Sequence, residues 1–247
     1  MNPFKKTEKS VSIFITAGYP NKTSLPEQIQ LLQDQGIDFL EIGIPFSDPM
    51  ADGPVIQEIS STALKNGMNL KLLFEQLSEI KEQIKIPLVL MGYLNPILQF
   101  GLTAFLEKCK SIGVSGLIIP DLSFELVQQK YLDYFRSFDV PLIYLITPAT
   151  SDLRIAQIAH ASSRSFIYLV GQNKITGSSY SLSVNSARYS EIKSLCGEVP
   201  LFLGFGISDA SQKREAFSHA DGVIIGSAYL KALSEQREKE FLENLLS

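Results

Sequence analysis

The 247-residue sequence has very few of the side chains on which metal sites and disulfide frameworks depend. It contains two cysteines, two histidines and no tryptophan. Cys109 and Cys196 are far apart and lack CxxC spacing, and His160 and His219 are equally isolated. A disulfide-stapled fold is therefore not expected, and the sequence predicts no metal site.

Blocks of like charge and long apolar runs are also missing. Lys and Arg number 22 against 26 Asp and Glu, which leaves a net charge of -4. The one basic cluster is Lys5, Lys6 and Lys9, too small to indicate a nucleic-acid or anionic-membrane surface. No apolar run approaches the roughly 18 residues of a membrane helix, and no signal-peptide core opens the chain. We expect a cytoplasmic protein with neither a nucleic-acid nor a membrane partner.

What the sequence does contain is a series of eight short runs rich in Ile, Val, Leu, Phe and Tyr. These predict strands at Val11–Thr16, Phe39–Ile44, Pro87–Tyr93, Gly116–Pro120, Pro141–Ile146, Phe166–Val170, Pro200–Phe205 and Gly222–Ile225. Apolar and polar residues do not alternate within them, which is typical of strands buried on both faces of a parallel sheet.

Segments with helical spacing separate the predicted strands. They are Leu25–Gln35, Ile56–Asn66, Leu70–Lys81, Thr103–Ile112, Glu125–Phe138, Asp152–Ala161, Asn185–Leu195, Ala210–Ser218 and Lys231–Leu246. Ser24 and Glu27 have the spacing of a capping box, and Ser151 is placed to cap the helix that follows it.

Eight strands alternating with helices in a chain of this length predict an α/β fold, a single (β/α)8 TIM barrel over residues 1–247. An open doubly wound sheet is the main alternative. No GxGxxG follows the first strand, so the dinucleotide-binding form of that alternative is not indicated. No low-complexity linker or break in composition marks a second domain.

A barrel of this type places its active site at the carboxyl ends of the strands. Glycines follow strand seven (Gly204, Gly206) and strand eight (Gly226, beside Ser227), the two loops that often bind phosphate. Tight turns without a ligand are the alternative. The connection from Gly171 to Ser183 is long enough for a lid over such a ligand, or is a solvated loop with no role.

Acidic residues gather at the second strand and in the loop after it. Glu41 lies inside an apolar run, where burial would raise its pKa and suit it to moving protons near neutrality. Asp52 follows in the loop, and two carboxylates in unlike surroundings can divide acid and base roles. The alternatives are a salt bridge inside the barrel for Glu41 and turn chemistry for Asp48 and Asp52.

Apolar side chains near other strand ends could line a chamber beside these acids. They include Phe14, Met91, Tyr93, Tyr168 and Phe205, and each of them alone could equally be ordinary barrel core. Together with the acids and the glycines they indicate a flat hydrophobic group attached to a phosphorylated tail. Thr16 is a further polar residue at a predicted strand end.

The segment LEIGIPFSDPMADGPVIQ closely resembles the signature of the tryptophan synthase alpha subunit family. FITAGYP, MGYLNPI, IIPDL, the Thr-Gly of the sixth loop, GFGIS and IIGSA occur in family order, so the resemblance covers essentially the whole chain. It implies a barrel that cleaves indole-3-glycerol phosphate to indole and glyceraldehyde 3-phosphate by a retro-aldol step, with indole passing to a beta subunit.

The resemblance also implies roles for individual residues. Glu41 matches the family's acid–base group, and Asp52 matches the carboxylate that binds the indole N–H. The implied indole pocket comprises Phe14, Met91, Ile118, Leu145 and Tyr168. The implied phosphate site comprises Gly177, Phe205, Gly206, Gly226 and Ser227. The implied partner-facing surface comprises Pro45, Asp48, Pro49, Asn95 and Pro96.

The implied partner is a tryptophan synthase beta subunit in an alpha2-beta2 heterotetramer. No cofactor is expected in this chain, since pyridoxal phosphate belongs to the beta subunit of the family. The run Gly171–Ile175 departs from the family pattern, and Ser123 replaces a common proline. Two alternatives remain: a regulatory subunit with little chemistry, which the altered sixth loop favours, and a stand-alone indole-releasing lyase.

Overall fold

The computed structural model describes residues 2–171, 186–204 and 206–247, and their centre is a sheet of eight parallel strands. The strands are β1 (Ser10–Thr16), β2 (Phe39–Gly43), β3 (Leu88–Met91), β4 (Gly116–Ile118), β5 (Tyr144–Ile146), β6 (Ile167–Val170), β7 (Leu201–Gly204) and β8 (Gly222–Ile225). Each predicted strand is present; the observed bounds are shorter at several ends, and β1 begins one residue earlier, at Ser10.

The sheet closes on itself. Its order is β4-β3-β2-β1-β8-β7-β6-β5, and a parallel bridge joins Leu117 to Leu142 between the two outer strands. Leu117 N donates to the Pro141 carbonyl at 2.9 Å, and Ile143 N donates to the Leu117 carbonyl at 2.8 Å. The barrel prediction is therefore confirmed, and the open doubly wound alternative is excluded because the edge strands are bonded to each other.

Helices surround the barrel. They are α1 (Leu25–Asp34), α2 (Pro54–Lys65), α3 (Leu70–Ile80), α4 (Leu94–Phe100), α5 (Leu102–Ile112), α6 (Phe124–Leu126), α7 (Leu132–Phe138), α8 (Asp152–Ala161), α9 (Ser186–Cys196), α10 (Ala210–Phe217), α11 (Ser227–Ser234) and α12 (Glu238–Leu246). Within the described ranges, none combines the length and the hydropathy that a bilayer-crossing helix requires.

Two helix predictions differ from the structure, and one observed helix is not predicted. The predicted final helix is two helices, because Gln236 between α11 and α12 has a positive φ of 57° that breaks the helical path. The predicted helix Glu125–Phe138 is interrupted by a π-helical stretch at Val127–Tyr131 between α6 and α7. Helix α4 is not predicted from the sequence, because its Asn95-Pro96 pair is typical of a turn.

The two predicted helix caps have different outcomes. Ser151 does cap α8, accepting a hydrogen bond from Arg154 N. Ser24 makes no side-chain cap to α1; its hydroxyl instead donates to the carbonyls of Tyr19 and Asn21, both at 2.8 Å. The capping-box prediction is wrong because the loop before α1 offers this hydroxyl nearer acceptors.

Large aromatic rings fill the amino-terminal end of the barrel. Phe39, Phe166 and Phe202 pack together with ring centroids 4.7 to 5.4 Å apart. Phe4, from the segment before β1, covers two of them at 5.2 and 4.9 Å. This end is a packed core, so a ligand has to enter from the other end.

The strand register places a different set of residues at the carboxyl-terminal end. Phe14 on β1 pairs with Glu41 on β2, and two residues further along Thr16 pairs with Gly43. Gly43 in turn pairs with Met91 on β3. Because side chains alternate along a strand, these residues share the inner face of the barrel, above the phenylalanine layer.

Candidate active site

Glu41 is buried inside the barrel, and the described residues offer it no hydrogen-bond partner. Its residue exposure is 1%, and both carboxyl oxygens are unpaired over that part of the chain. The alternative of a salt bridge within the barrel is therefore excluded for the described residues. A carboxyl group in such a place favours its protonated form, because ionisation would leave a buried charge uncompensated.

Asp52 is half-buried in the loop between β2 and α2 and is held by a side chain from another strand. Tyr93, just after β3, donates its hydroxyl proton to Asp52 Oδ2 at 3.0 Å. The same hydroxyl oxygen accepts a hydrogen bond from Ala51 N at 2.9 Å. Tyr93 therefore fixes the loop through its backbone and through its carboxylate at once.

Further contacts hold the same loop from α2. Gln57 donates its side-chain amide to the Asp52 carbonyl at 2.9 Å. The hydroxyl of Ser60 accepts from Phe46 N at 2.9 Å and donates to the Phe46 carbonyl at 3.1 Å. The Phe46 ring lies 5.3 Å from that of Tyr93. Asp52 is thus positioned by a network that spans β3, the loop and α2.

The two carboxyl groups influence each other electrostatically. Burial, reinforced by the charge of Asp52, raises the pKa of Glu41 to about 8. Burial also raises the pKa of Asp52, while the hydrogen bond from Tyr93 opposes this rise. Glu41 is consequently protonated near neutral pH. Two neighbouring carboxyl groups in unlike surroundings can divide a proton-donor role and an electrostatic role between them.

A narrow cleft of about 10 Å³ lies at the carboxyl-terminal end of the barrel, two residues beyond Glu41 on β2, and Glu41 itself is not part of its lining. Its lining is Phe14, Thr16, Gly43, Ile44, Pro45, Asp52, Ile56, Ser60, Met91, Gly92 and Tyr93. Most of these residues are apolar, with Asp52 as the one carboxyl group among them. The lining is therefore chemically suited to an apolar surface with one hydrogen-bonding group, at a cleft that is narrow in this structure.

The five predicted pocket residues all follow the inner-face register, but they do not all reach this cleft. Phe14 and Met91 line it. Ile118 pairs with Met91 and is buried, and Leu145 pairs with Tyr168. These three residues surround the barrel interior on its other strands. Burial raises the pKa of the Tyr168 hydroxyl, and the charges of Glu41 and Asp52 add to that rise.

The predicted phosphate residues are only partly described. Gly177, Phe205 and the predicted lid beyond Gly171 lie outside the described residues. Gly206, after β7, has a φ of 62°, a left-handed conformation that glycine adopts at no steric cost. Gly226 and Ser227 form the N-cap and first residue of α11, whose unpaired backbone N–H groups can bind an anion.

The predicted partner-facing residues do not share one environment. Asp48 and Asn95 are exposed, and Pro49 and Pro96 are half-buried. Pro45 is buried and lines the cleft instead, because it is the second residue after β2 and still inside the barrel rim. Met50, which no sequence pattern singles out, is 82% exposed at the tip of the same loop.

Sequence reasoning misses the tie between Asp52 and Tyr93. The two residues are 41 positions apart, and the sequence predicts Tyr93 only as a wall of the chamber. No local pattern encodes such a contact. Cys109 and Cys196 are buried free thiols. Over the described ranges, no three His, Cys, Asp or Glu side chains are grouped to hold a metal ion.

Comparison with known proteins gives a consistent result. A family model described as tryptophan synthase alpha chain matches residues 2–245. The tryptophan synthase alpha chain of Flavobacterium johnsoniae is 45% identical over 94% of this chain and 91% of its own length. The tryptophan synthase alpha chain of Phocaeicola vulgatus is 44% identical, and the match covers 94% of this chain and 90% of that one.

Solved structures show the same relationship. The alpha chain of Legionella pneumophila superposes with a TM-score of 0.86 at 30% identity, covering 99% of this chain and 93% of that one. A chain of Mycobacterium tuberculosis tryptophan synthase superposes with a TM-score of 0.86 at 29% identity, and the match covers 96% of this chain and 91% of that one.

Proposed function

Because the chain belongs to the tryptophan synthase alpha chain family, we propose that it cleaves indole-3-glycerol phosphate to indole and glyceraldehyde 3-phosphate. Family membership makes it an enzyme of tryptophan synthesis; the lyase reaction and its residues are our proposal. One observation carries it above all: a buried Glu41, unpaired among the described residues, that is protonated near neutrality beside the carboxylate of Asp52.

Glu41 performs both proton transfers in this proposal. Its proton goes to C3 of the indole ring, which converts the ring to a cationic indolenine. The Glu41 carboxylate then removes the proton from the glycerol hydroxyl next to the scissile bond. That C–C bond breaks, a carbonyl forms, and the bonding electrons return to the ring. Indole and the aldehyde leave, and Glu41 has regained its proton.

Asp52 stabilises the charged intermediate. Protonation at C3 places positive charge on the ring nitrogen, and an ionised carboxylate that accepts the N–H hydrogen bond favours that state. The hydrogen bond from Tyr93 helps to keep Asp52 ionised, since it opposes the effect of burial on the pKa. In this proposal the Tyr93 hydroxyl therefore both positions Asp52 and favours its ionised form.

The remaining predicted site residues bind the two ends of the substrate. Phe14 and Met91 in the cleft, with Ile118, Leu145 and Tyr168 around the barrel interior, enclose the indole. Gly206, Gly226 and Ser227 receive the phosphate at the N-terminus of α11, with Gly177 and Phe205 as further candidates from their positions in the sequence. No cofactor is assigned to this chain, because its own side chains move both protons.

The partner in this proposal is a tryptophan synthase beta subunit, as an alpha2-beta2 heterotetramer, to which indole is passed. Asp48, Pro49, Asn95 and Pro96 form the candidate docking surface, and exposed Met50 extends it. A regulatory subunit without chemistry is disfavoured by the Glu41–Asp52 arrangement. The stand-alone lyase differs from the main proposal only in the partner.

The decisive experiment is an indole-release assay with indole-3-glycerol phosphate. Glu41→Gln retains shape but cannot exchange the proton, so we expect turnover to fall at least about 1,000-fold, within the range that general acid–base catalysis contributes. Asp52→Asn should slow turnover severely while phosphate binding remains.

Glu79→Gln is the matched control, since Glu79 is exposed on α3, and it should retain full activity. Circular dichroism and thermal unfolding establish that each variant is folded. Near-normal turnover by folded Glu41→Gln protein would rule out the proposed role.

A further inference from the structure

Thr16 carries a hydroxyl group that the described part of the chain leaves without a partner. The residue is 3% exposed, and its Oγ is among the buried atoms with no hydrogen bond over those residues. Hydroxyl groups withdrawn from water are normally paired, because an unmade hydrogen bond destabilises the fold. Within the described ranges, no hydrogen bond explains the presence of a hydroxyl at position 16.

The position of Thr16 supplies a reason. It is the last residue of β1, paired in register with Gly43, and it lines the cleft together with Asp52. Gly43 adds no side chain of its own, and the space over it is taken by the Phe14 ring, 2.5 Å from where a Cβ would lie. A molecule bound in the cleft would contact Thr16 beside the Phe14 ring, with Asp52 in the same lining.

Other polar groups that line the cleft are already engaged. The hydroxyl of Ser60 exchanges two hydrogen bonds with the backbone of Phe46. The hydroxyl of Tyr93 accepts from one backbone amide and donates to Asp52 Oδ2. Among the described lining side chains, the Thr16 hydroxyl and the second oxygen of Asp52 are left for a ligand.

We propose that Thr16 is a substrate-binding residue whose hydroxyl oxygen shares with Asp52, in one three-centre hydrogen bond, the ring N–H of a planar heterocycle. A hydroxyl oxygen has lone pairs that can accept from an N–H whose main acceptor is the carboxylate. Binding would thus satisfy the orphaned oxygen and make the cleft prefer rings that carry an N–H. The inference rests on the proposed function for the ligand class, an indole.

Ser12 provides a control within the same strand. It lies four residues before Thr16 on the same face, pairs with Phe39, and is fully buried. Its hydroxyl is also unpaired among the described residues, but it is not part of the cleft lining. Removal of either hydroxyl should leave the fold at least as stable, and only removal of the Thr16 hydroxyl should alter binding.

The test compares Thr16→Val, which has nearly the same shape, with Thr16→Ser, which retains the hydroxyl, and with Ser12→Ala. Indole binding is followed by indole fluorescence, which no tryptophan obscures because the chain has none. Benzothiophene, a planar bicycle without N–H, is measured by displacement of indole. Urea unfolding gives the stability of each variant.

We expect Thr16→Val to bind indole about fivefold more weakly, the range of one neutral hydrogen bond, with benzothiophene affinity and stability not reduced. Thr16→Ser and Ser12→Ala should retain the preference for indole. Equal losses for both ligands would show a packing role, and unchanged indole affinity or a marked loss of stability would also overturn the proposal. Binding is measured without turnover, so the two proposals can fail separately. A protein that prefers indole over benzothiophene but does not release indole would contradict the proposed function and leave the role of Thr16 intact.

Discussion

Glu41, the proposed proton donor, illustrates at the scale of a single residue how a functional group can oppose stability. The carboxyl group is buried without a partner among the described residues, so it destabilises the fold least when it is protonated. A pKa that rises by one corresponds to a change of about 1.4 kcal/mol in the free energy difference between the two protonation states. The raised pKa of Glu41 therefore makes the stability of the fold depend on pH.

The sign of that dependence follows from the two pKa values. The pKa of Glu41 rises from 4.5 to about 8 on folding, so between these values the native state binds a proton that the unfolded state has released. The free energy of unfolding should fall as pH rises from about 5 to about 8 and level off above. Urea unfolding across this range measures the trend.

The substitution Glu41→Gln should flatten this part of the profile, because glutamine has no proton to lose. The variant should gain stability over the natural chain progressively as the pH approaches the raised pKa of Glu41. Glu79→Gln, altered at an exposed site, should keep the natural slope. Parallel profiles for Glu41→Gln and the natural chain would show that Glu41 titrates normally.

At the scale of elements, the loop between β2 and α2 depends on a residue that follows β3. Tyr93 bonds both Ala51 N and Asp52 Oδ2, and its ring packs against Phe46. A loop held by its own residues would leave Asp52 free to move. Here the spacing between Asp52 and Glu41 is set by the distance between two neighbouring barrel strands.

Tyr93→Phe should slow indole release about tenfold or more, because Asp52 and Ala51 lose their shared partner and a misplaced group is costly in catalysis. The acid limb of the pH–rate profile should move to higher pH, since the lost hydrogen bond had lowered the pKa of Asp52. Steady-state rates from mildly acidic to mildly basic pH test both effects.

Tyr134→Phe is the matched control, since Tyr134 is 47% exposed on α7. It should leave the rate and the pH profile unchanged. An acid limb at the same pH in Tyr93→Phe would contradict the electrostatic part of the prediction, whatever the rate.

Elements also differ in how far the sequence predicts them. All eight strands follow from apolar runs, because both faces of each strand are buried and their composition reflects it. Helix α4 is not predicted, because the Asn95-Pro96 pair is typical of a turn, and the packing of α4 against the barrel overrides that preference. Asp121 also supports the start of α4, where it accepts a hydrogen bond from Leu94 N at 2.9 Å. The sequence predicts one helix where the structure has α11 and α12, because the break between them is centred on a single residue, Gln236.

At the scale of the whole molecule, the barrel has two unlike ends. Phenylalanines close the amino-terminal end, while Glu41, Thr16 and small residues such as Gly43 occupy the other. The catalytic candidates and the exposed loop with Met50 therefore lie on one face. A partner that covers this face could act on the loop that carries Asp52.

The partner prediction is tested by indole release with and without the cognate beta subunit. We expect a stimulation of about tenfold or more if the subunit acts on the loop that carries Asp52. Met50→Asp should weaken the stimulation and leave the basal rate intact, because the side chain is exposed. Tyr134→Asp, on α7, should preserve the stimulation. The absence of any stimulation would favour the stand-alone lyase.

The sequence by itself determined the barrel, the family and the identity of Glu41 and Asp52 as the candidate acids. These depend on patterns within short stretches, where composition records burial and a motif records its own spacing. The tertiary structure alone decided that Tyr93 holds Asp52, that Pro45 is inside rather than on the surface, and that neither Glu41 nor the Thr16 hydroxyl is paired by the described residues. Each of these facts depends on which side chains of distant segments meet, and no local pattern specifies such a meeting.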